Sequence, residues 1–261
     1  NKQNYIIDSD LLEGTCVNLI NTASTGLNHI DIEYCETSDV EVISLTKDYT
    51  LIRNLPSTSE LGFGLYLSLM RKIPESFDSV KSGNWDYEPF VGNQVSGKVA
   101  GIIGFGRLGT FMARYCLAFG MKVIVYDPFK NVFEYEQVSF QELLERSSMI
   151  SLHVHVKKDT VGMIDKSAIE RMRMSPILIN TSRGELVDES AVISGLRSGK
   201  ISGYGTDVIS HEFSNIEDSP IINSLKNENL EILVTPHTGG MSYEGQEMAY
   251  KHAINKFRKR I

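Results

Sequence analysis

The sequence predicts an α/β protein: a doubly wound parallel sheet with a second, smaller, discontinuous α/β lobe. Three features of its 261 residues carry that expectation. From Lys98 onward, short apolar runs alternate with amphipathic stretches, the pattern of parallel strands joined by helical crossovers and covered on both faces. The first of those runs feeds directly into a glycine-rich turn, Gly104-Phe105-Gly106-Arg107-Leu108-Gly109, that opens a helical pattern. Ahead of it, a separate strand, helix and strand pattern occupies the N-terminal stretch.

Taken in order, residues 17–21 and 40–45 read as strands with a short helix between them. Residues 57–71 (STSELGFGLYLSLMR) read as a long helix, with cap-type residues Thr58, Ser59 and Glu60 at its start. Strands of the main sheet are expected at 99–103, 122–126, 149–153, 176–180, 201–207 and 231–235. Helices are expected between most of them, at 108–119, 140–145, 166–172 and 189–198. After Pro236 the chain closes with a helix over 244–259. Residues 57–237 then make the sheet domain, and residues 1–56 plus 238–261 the smaller lobe.

Composition narrows the class. Hydrophobic residues at 41% and charged residues at 23% exclude a disordered or fibrous chain. Net charge is −7, and the one dense basic run, residues 256–260 (KFRKR), ends a helix, where cations suit the dipole. No nucleic-acid partner is expected from a chain without a basic face. No apolar run approaches the ~20 residues a membrane span needs. The three cysteines, Cys16, Cys35 and Cys116, are widely spaced, which fits buried thiols, a reducing compartment and a cytoplasmic location. The opening residues resemble neither a signal peptide nor an initiator methionine, so the N-terminus is expected to be cut or unobserved.

The glycine turn has a physical logic. Gly104 permits a tight turn, Gly106 lets the backbone approach a pyrophosphate, and Gly109 lets the helix pack against the strand. Amides at the helix start then face the anion. The next strand ends at Asp127, 18 residues after Gly109, where a carboxylate can accept hydrogen bonds from ribose hydroxyls and repel a 2′-phosphate. The plainer reading of Asp127 is a turn former before Pro128. Context favours NAD.

Three further polar residues follow expected strands. Arg183 lies in INTSRG, Glu212 five residues after Asp207, and His237 in LVTPH. The carboxyl ends of a parallel sheet converge on a common ligand crevice. Reduction of a 2-oxo acid requires a cation for the carboxylate, a proton donor for the carbonyl oxygen and a partner for that donor. An arginine, a histidine and a glutamate supply those parts.

At this point the sequence resembles the D-isomer-specific 2-hydroxyacid dehydrogenases. The resemblance rests on ASTGLNHID, STSELGFGL, VSGKVAGIIGFGRLG, DTVGMIDKSAIERM, LINTSRGELVDESA, SGYGTDV and TPHTGG, in that order. It implies a Rossmann-type cofactor domain, a substrate lobe, NAD as cofactor, a small 2-oxo or 2-hydroxy acid as substrate and a homodimer. It further implies that Arg183 holds the substrate carboxylate, that His237 is the general acid/base, and that Glu212, 29 residues after Arg183, is its partner. Asp207 would meet the nicotinamide carboxamide, and Ser24, Thr25 and Gly26 would grip the substrate carboxylate. Cofactor contacts would come from Thr58, Gly104, Gly106, Arg107, Leu108, Gly109, Asp127, Thr181 and Gly239, and the long helix bearing Thr58 builds the dimer interface in relatives.

Each residue also has an ordinary reading. Arg183 could be a surface cation and His237 a residue that merely precedes the last helix. His153 and His155 fall where the adenine side is expected, His211 at the rim, and His29 and His252 in structural places. No HxxxH or Cys/His spacing suggests a metal. Phe213 and His155 replace common prolines, Asn28 stands where aspartate is frequent, and 128–139 is short for its place. The resemblance also leaves the opening strands of the first lobe outside the chain. A reading of a different class is an NAD-sensing protein of the corepressor type on the same scaffold.

Overall fold

Alternating strands and helices resolve into two units in the computed structural model, which describes residues 6–27, 29–212 and 214–260. Two departures noted above, Asn28 and Phe213, lie outside the described residues. The smaller unit draws on Asn1–Ser57, Glu212–Ser214 and Gly240–Ile261, and the larger on Thr58–His211 and Asn215–Gly239.

In the smaller unit, α1 (Ser9–Leu12) and α2 (Ile32–Thr37) each start behind an aspartate. Asp8 accepts from the Leu11 amide and Asp31 from the Tyr34 amide, satisfying a first-turn donor. Strands β1 (Leu19–Asn21) and β2 (Glu41–Ile43) pair in parallel with Leu19 opposite Glu41, and α3 (Tyr49–Ile52) follows. Leu12, Ile30, Cys35 and Val40 make the small core under them. Burial of the thiols holds for Cys35 and Cys116 but not for Cys16, which is exposed. Cys16 directly follows the turn that closes when the Thr15 amide bonds to the Leu12 carbonyl, among exposed neighbours.

The larger unit begins with α4 (Ser57–Arg71) and α5 (Ile73–Lys81). Helix α4 starts at Ser57, so Thr58, Ser59 and Glu60 lie inside its first turn and do not cap it. Ser59 is fully buried, and its hydroxyl donates to the Leu108 carbonyl at 2.9 Å. The sequence reading has no α5. The chain breaks at Lys72, with φ of 50°, and restarts one residue before Pro74, which supplies the fixed φ of a helix start.

The sheet elements then alternate: β3 (Val99–Ile103), α6 (Arg107–Ala118), β4 (Lys122–Tyr126), β5 (Glu136–Gln137), α7 (Phe140–Arg146), β6 (Met149–Leu152), α8 (Lys166–Arg171), β7 (Ile177–Asn180), α9 (Glu189–Arg197), β8 (Gly203–Thr206), α10 (Pro220–Asn227) and β9 (Ile232–Val234). Seven strands lie in the order β5-β4-β3-β6-β7-β8-β9, every pair parallel. The chain leaves β3 toward β4 and β5, then crosses back to β6 on the other side. The strand order therefore reverses between β3 and β6, where open α/β sheets bind ligands.

Successive residues of a strand face opposite sides, and each side has its own core. Ala100, Ile102, Val123, Val125, Met149, Ile177 and Ile179 pack with Phe63, Tyr66, Leu69, Met112 and Cys116 of α4 and α6. Ile103, Ile124, Ile150, Leu152 and Leu178 pack with Leu143, Ile169, Val192 and Ile221 of α7 to α10. Uninterrupted apolar runs are the sequence trace of that two-sided burial. Strand β5 left no such trace: it is two exposed polar residues, joined to Ile124 and Val125 only through the backbone.

Helix α11 (Tyr243–Arg258), capped by Ser242, returns to the smaller unit. The Asn21 side chain donates to the Ala253 carbonyl at 3.1 Å, and Lys256 donates to the Ser44 carbonyl and to Asp48 at 2.7 and 2.9 Å.

Candidate active site

Strand β3 delivers the chain into the glycine turn at the point of strand reversal. Gly104 has φ of 89°, and a Cβ there would lie 2.5 Å from the His153 carbonyl oxygen. Neither the dihedral nor the space admits a side chain. At Gly109 a Cβ would fall 2.1 Å from the Gly104 carbonyl oxygen, so the start of α6 sits directly on the turn. Gly106 differs, because a Cβ there would meet nothing within 4 Å. It caps α6 with extended backbone, and the amides of Arg107, Leu108 and Gly109 follow in the first turn, whose donors lack intrahelical acceptors. An open face over the first amides of a helix fits a pyrophosphate. Burial lowers the Arg107 guanidinium below its ordinary pKa.

Asp127, at the end of β4, braces this turn. One carboxylate oxygen accepts from the Phe105 amide at 2.8 Å and the other from the Phe129 amide at 2.9 Å. The turn-former role and a role at the glycine turn therefore coexist, and a carboxylate has lone pairs left for ribose hydroxyls. Lys130 was not singled out in the sequence; its ammonium donates to the Phe105 carbonyl at 3.2 Å and lies 4.8 Å from the Phe105 ring centroid.

Beyond β7, the buried Asn180 folds the Arg183 turn around itself. Its side chain donates to the Arg183 carbonyl at 2.8 Å and accepts from the Ser182 amide at 3.0 Å. The Ser182 hydroxyl donates to the Leu152 carbonyl at 2.7 Å, tying the turn to β6. The half-buried Arg183 rests one guanidinium nitrogen on the Ser182 carbonyl, 2.6 Å away.

Beyond β9, His237 adopts a left-handed conformation with φ of 53°, a strained region for a residue with a Cβ. Asp207, 2% exposed at the end of β8, holds it there. One oxygen of Asp207 accepts from the Thr235 hydroxyl at 2.5 Å and the Thr238 amide at 2.8 Å, the other from the Gly239 amide at 2.7 Å. The His237 amide donates to the Asp207 carbonyl at 3.0 Å. A Cβ on Gly239 would lie 2.9 Å from Asp207 and 3.1 Å from Thr58, which brings three expected cofactor residues together.

Residues 63–239 match the family described as D-isomer specific 2-hydroxyacid dehydrogenase, NAD binding domain. The chain belongs to this family. Against hydroxypyruvate reductase of Thermotoga maritima it is 33% identical over 258 residues, covering 98% of this chain and 81% of that protein. Against D-3-phosphoglycerate dehydrogenase of Archaeoglobus fulgidus it is 34% identical over 246 residues, covering 92% of this chain but 45% of that protein. It thus spans less than half the length of that relative. D-lactate dehydrogenase from Aquifex aeolicus, solved with NAD and lactic acid, matches with a TM-score of 0.78 at 29% identity, covering 97% of this chain and 79% of that one.

The family, the doubly wound fold and NAD as the cofactor are thus what the motifs implied. In this member of the family, Gly104, Gly106, Arg107, Leu108, Gly109 and Asp127 make up or adjoin the glycine turn. Thr58, Asp207 and Gly239 gather beside the His237 turn. Thr181 is 5% exposed; its hydroxyl has no hydrogen-bond partner among the described residues and lies 3.4 Å from where a Cβ on Gly62 of α4 would be. In the smaller unit, all three carbonyls of residues 24–26 have donors: Leu45 N to Ser24, Thr46 Oγ1 to Thr25, and Ser24 Oγ to Gly26.

The remaining histidines separate by environment. His153 shares a 2.9 Å hydrogen bond between Nε2 and Ser151, its Nδ1 is sealed from solvent, and burial pushes its pKa down to about 3. It is a neutral ring beside the glycine turn. His252 pairs with Asp48 at 3.3 Å, a structural place. Among the described residues no cluster of His, Cys, Asp or Glu could hold a metal ion, and no helix is long and apolar enough to cross a membrane.

Proposed function

We propose that the protein interconverts a small 2-oxo acid and its 2-hydroxy acid, with Arg183, His237 and Glu212 as the reacting set. The observation that supports this best is the arrangement along one edge of the sheet. The glycine turn follows β3, Arg183 lies three residues past β7, Asp207 directly follows β8, and His237 lies three residues past β9. When bound, NADH supplies the hydride for the carbonyl carbon. Arg183 presents a planar fork that takes a carboxylate bidentately. In the smaller unit, the assignment of residues 24–26 to a substrate carboxylate rests on their backbone amides, their carbonyls being already engaged. His237 donates a proton to the carbonyl oxygen in reduction and withdraws it in oxidation. Glu212 is assigned as the carboxylate partner of His237 by its spacing from Arg183. Asp127 selects NAD over NADP by accepting ribose hydroxyls and repelling a 2′-phosphate.

The assembly proposed is a homodimer built on the α4 to α5 region. Helix α5 buries none of its side chains, and Ile73, Phe77 and Val80 form an exposed apolar stripe at helical spacing. Trp85, Tyr87 and Val91 extend it, at 91%, 81% and 72% exposure. Apolar surface on that scale marks an interface, and sedimentation equilibrium at twice the chain mass is the expected result. A cytoplasmic location is consistent with three unpaired cysteines.

The deciding experiment follows NADH and NADPH oxidation with glyoxylate, hydroxypyruvate, pyruvate and 3-phosphohydroxypyruvate, for the wild type and Arg183→Lys. Turnover of at least one oxo acid, faster with NADH, is expected. Arg183→Lys should lose about ten- to a hundredfold in kcat/KM, the worth of a charge-assisted hydrogen bond, with NADH affinity retained. Tight NADH binding without turnover of any oxo acid would instead favour the NAD-sensing role.

A further inference from the structure

One carboxylate of the larger unit is buried without a place in that scheme. Glu189 opens α9 and is 4% exposed. An acid in a first turn suits the helix dipole equally well on the surface, where water also solvates it. Burial is unfavourable unless the oxygens find donors, and here each oxygen finds a distant one. Oε1 accepts from the Ser210 amide at 2.7 Å, and Oε2 accepts from the Ser219 hydroxyl at 2.7 Å. Those donors bracket the segment that carries Glu212. Ser219 in turn caps α10, accepting from the Ile222 amide at 3.4 Å.

An independent contact reaches the same anchor. Gly184, the residue after Arg183, packs so closely on the chain that a Cβ would lie 2.2 Å from the Ile209 carbonyl carbon and 2.5 Å from the Ser210 nitrogen. Backbone meets backbone there, with no flexible side chain to yield. The Arg183 turn and the Ser210 anchor are therefore held in fixed register. The carboxylate adds the second tether, nine residues further on.

We propose that Glu189 is a positioning residue, clamping both ends of segment 210–219 and so fixing Glu212; the proposal rests on the role given to Glu212 above. Its chemistry makes the variants informative. Glutamine can keep both bonds, because its carbonyl oxygen accepts from the Ser210 amide while its amide donates to the Ser219 hydroxyl oxygen. Alanine keeps neither. Aspartate keeps the charge but is one methylene too short to reach both donors.

Amide hydrogen exchange at Ser210 reads the clamp directly, and steady-state kinetics with the preferred oxo acid read its consequence. In Glu189→Ala, Ser210 should exchange at the rate of an open loop. Its kcat should fall by about a hundredfold, the scale of an ångström-sized misplacement, with the KM for NADH unchanged. Glu189→Gln should restore both readouts, and Glu189→Asp should behave as Ala does and serve if the Ala variant does not fold. Unchanged Ser210 exchange in Ala and Asp would overturn the clamp. Gln as impaired as Ala, or a parallel loss of NADH binding, would overturn the positioning role. A wild type that turns over no oxo acid would refute the functional reading instead, and the exchange result would still decide the clamp.

Discussion

The substitution Asp207→Asn tests how the His237 turn is held. The carboxylate accepts from four groups, the hydroxyls of Thr235 and Thr238 and the backbone amides of Thr238 and Gly239. A hydroxyl can rotate to accept instead, but a backbone amide can only donate. Whichever way the new carboxamide turns, its NH2 therefore faces one backbone N–H. Gly239 is buried and Thr238 exposed, so the carboxamide should keep its oxygen toward Gly239 and leave the Thr238 N–H to water. One charge-assisted hydrogen bond is then lost and one neutralised, worth about 2 kcal/mol together. At about 2–4 °C per kcal/mol for a chain of this size, the melting temperature should fall by about 4–8 °C. With Thr238 released, the strained φ of His237 is held by fewer bonds, and kcat/KM for the oxo acid should drop as well. Circular dichroism melts paired with kinetics provide the assay. A melting temperature within about 1 °C of wild type would show that Asp207 does not hold the turn.

Two other perturbations follow from the same geometry. Gly106→Ala should fold normally, its Cβ entering open space, yet weaken NADH binding, whereas Gly109→Ala should lose about 1–3 kcal/mol of stability by overpacking against the Gly104 carbonyl; equal melting temperatures would contradict this. Burial raises the pKa of Asp48, but hydrogen bonds and charge from Lys256 and His252 outweigh burial and leave it below 3.8. A depressed carboxylate stabilises the fold above its unfolded pKa and loses that contribution as pH falls through the folded value. Acid unfolding below about pH 4 should therefore be less steep in Asp48→Asn, and identical acid transitions would remove Asp48 from the account.

Much of the sheet was legible because burial on both faces writes itself as unbroken apolar runs. VAGII, KVIVY and ILIN each announce a strand. Elements held by backbone or by special dihedrals left no such mark. Strand β5 has only Glu136 and Gln137, and α5 starts after a left-handed lysine. At the site, glycine spacing revealed the turn because each glycine answers a separate steric demand. The supports were harder to read. Asn180, Thr235 and Thr238 act by folding short turns on themselves, and hydrogen bonds over two or three residues have no periodicity to detect. Ser59 misled for a related reason: a hydroxyl near a helix start suggests a cap, and only packing shows that it bonds to Leu108.

The return of α11 to the smaller unit bears on how the molecule is made. The bonds from Asn21 to Ala253, Ser44 to Lys256 and Glu41 to Arg260 close loops of 232, 212 and 219 residues. A ribosome emits the larger unit as a nearly continuous stretch, and its strands can pair while synthesis proceeds. The smaller unit has no such option. Its helices α1 to α3 and strands β1 and β2 precede the larger unit and wait, with a small core of their own, until α11 has left the exit tunnel. Closing such long loops slows assembly more than it weakens the finished fold. During that interval the parallel pair Leu19–Asn21 and Glu41–Ile43 lacks the bonds that Asn21 and Glu41 make to Ala253 and Arg260.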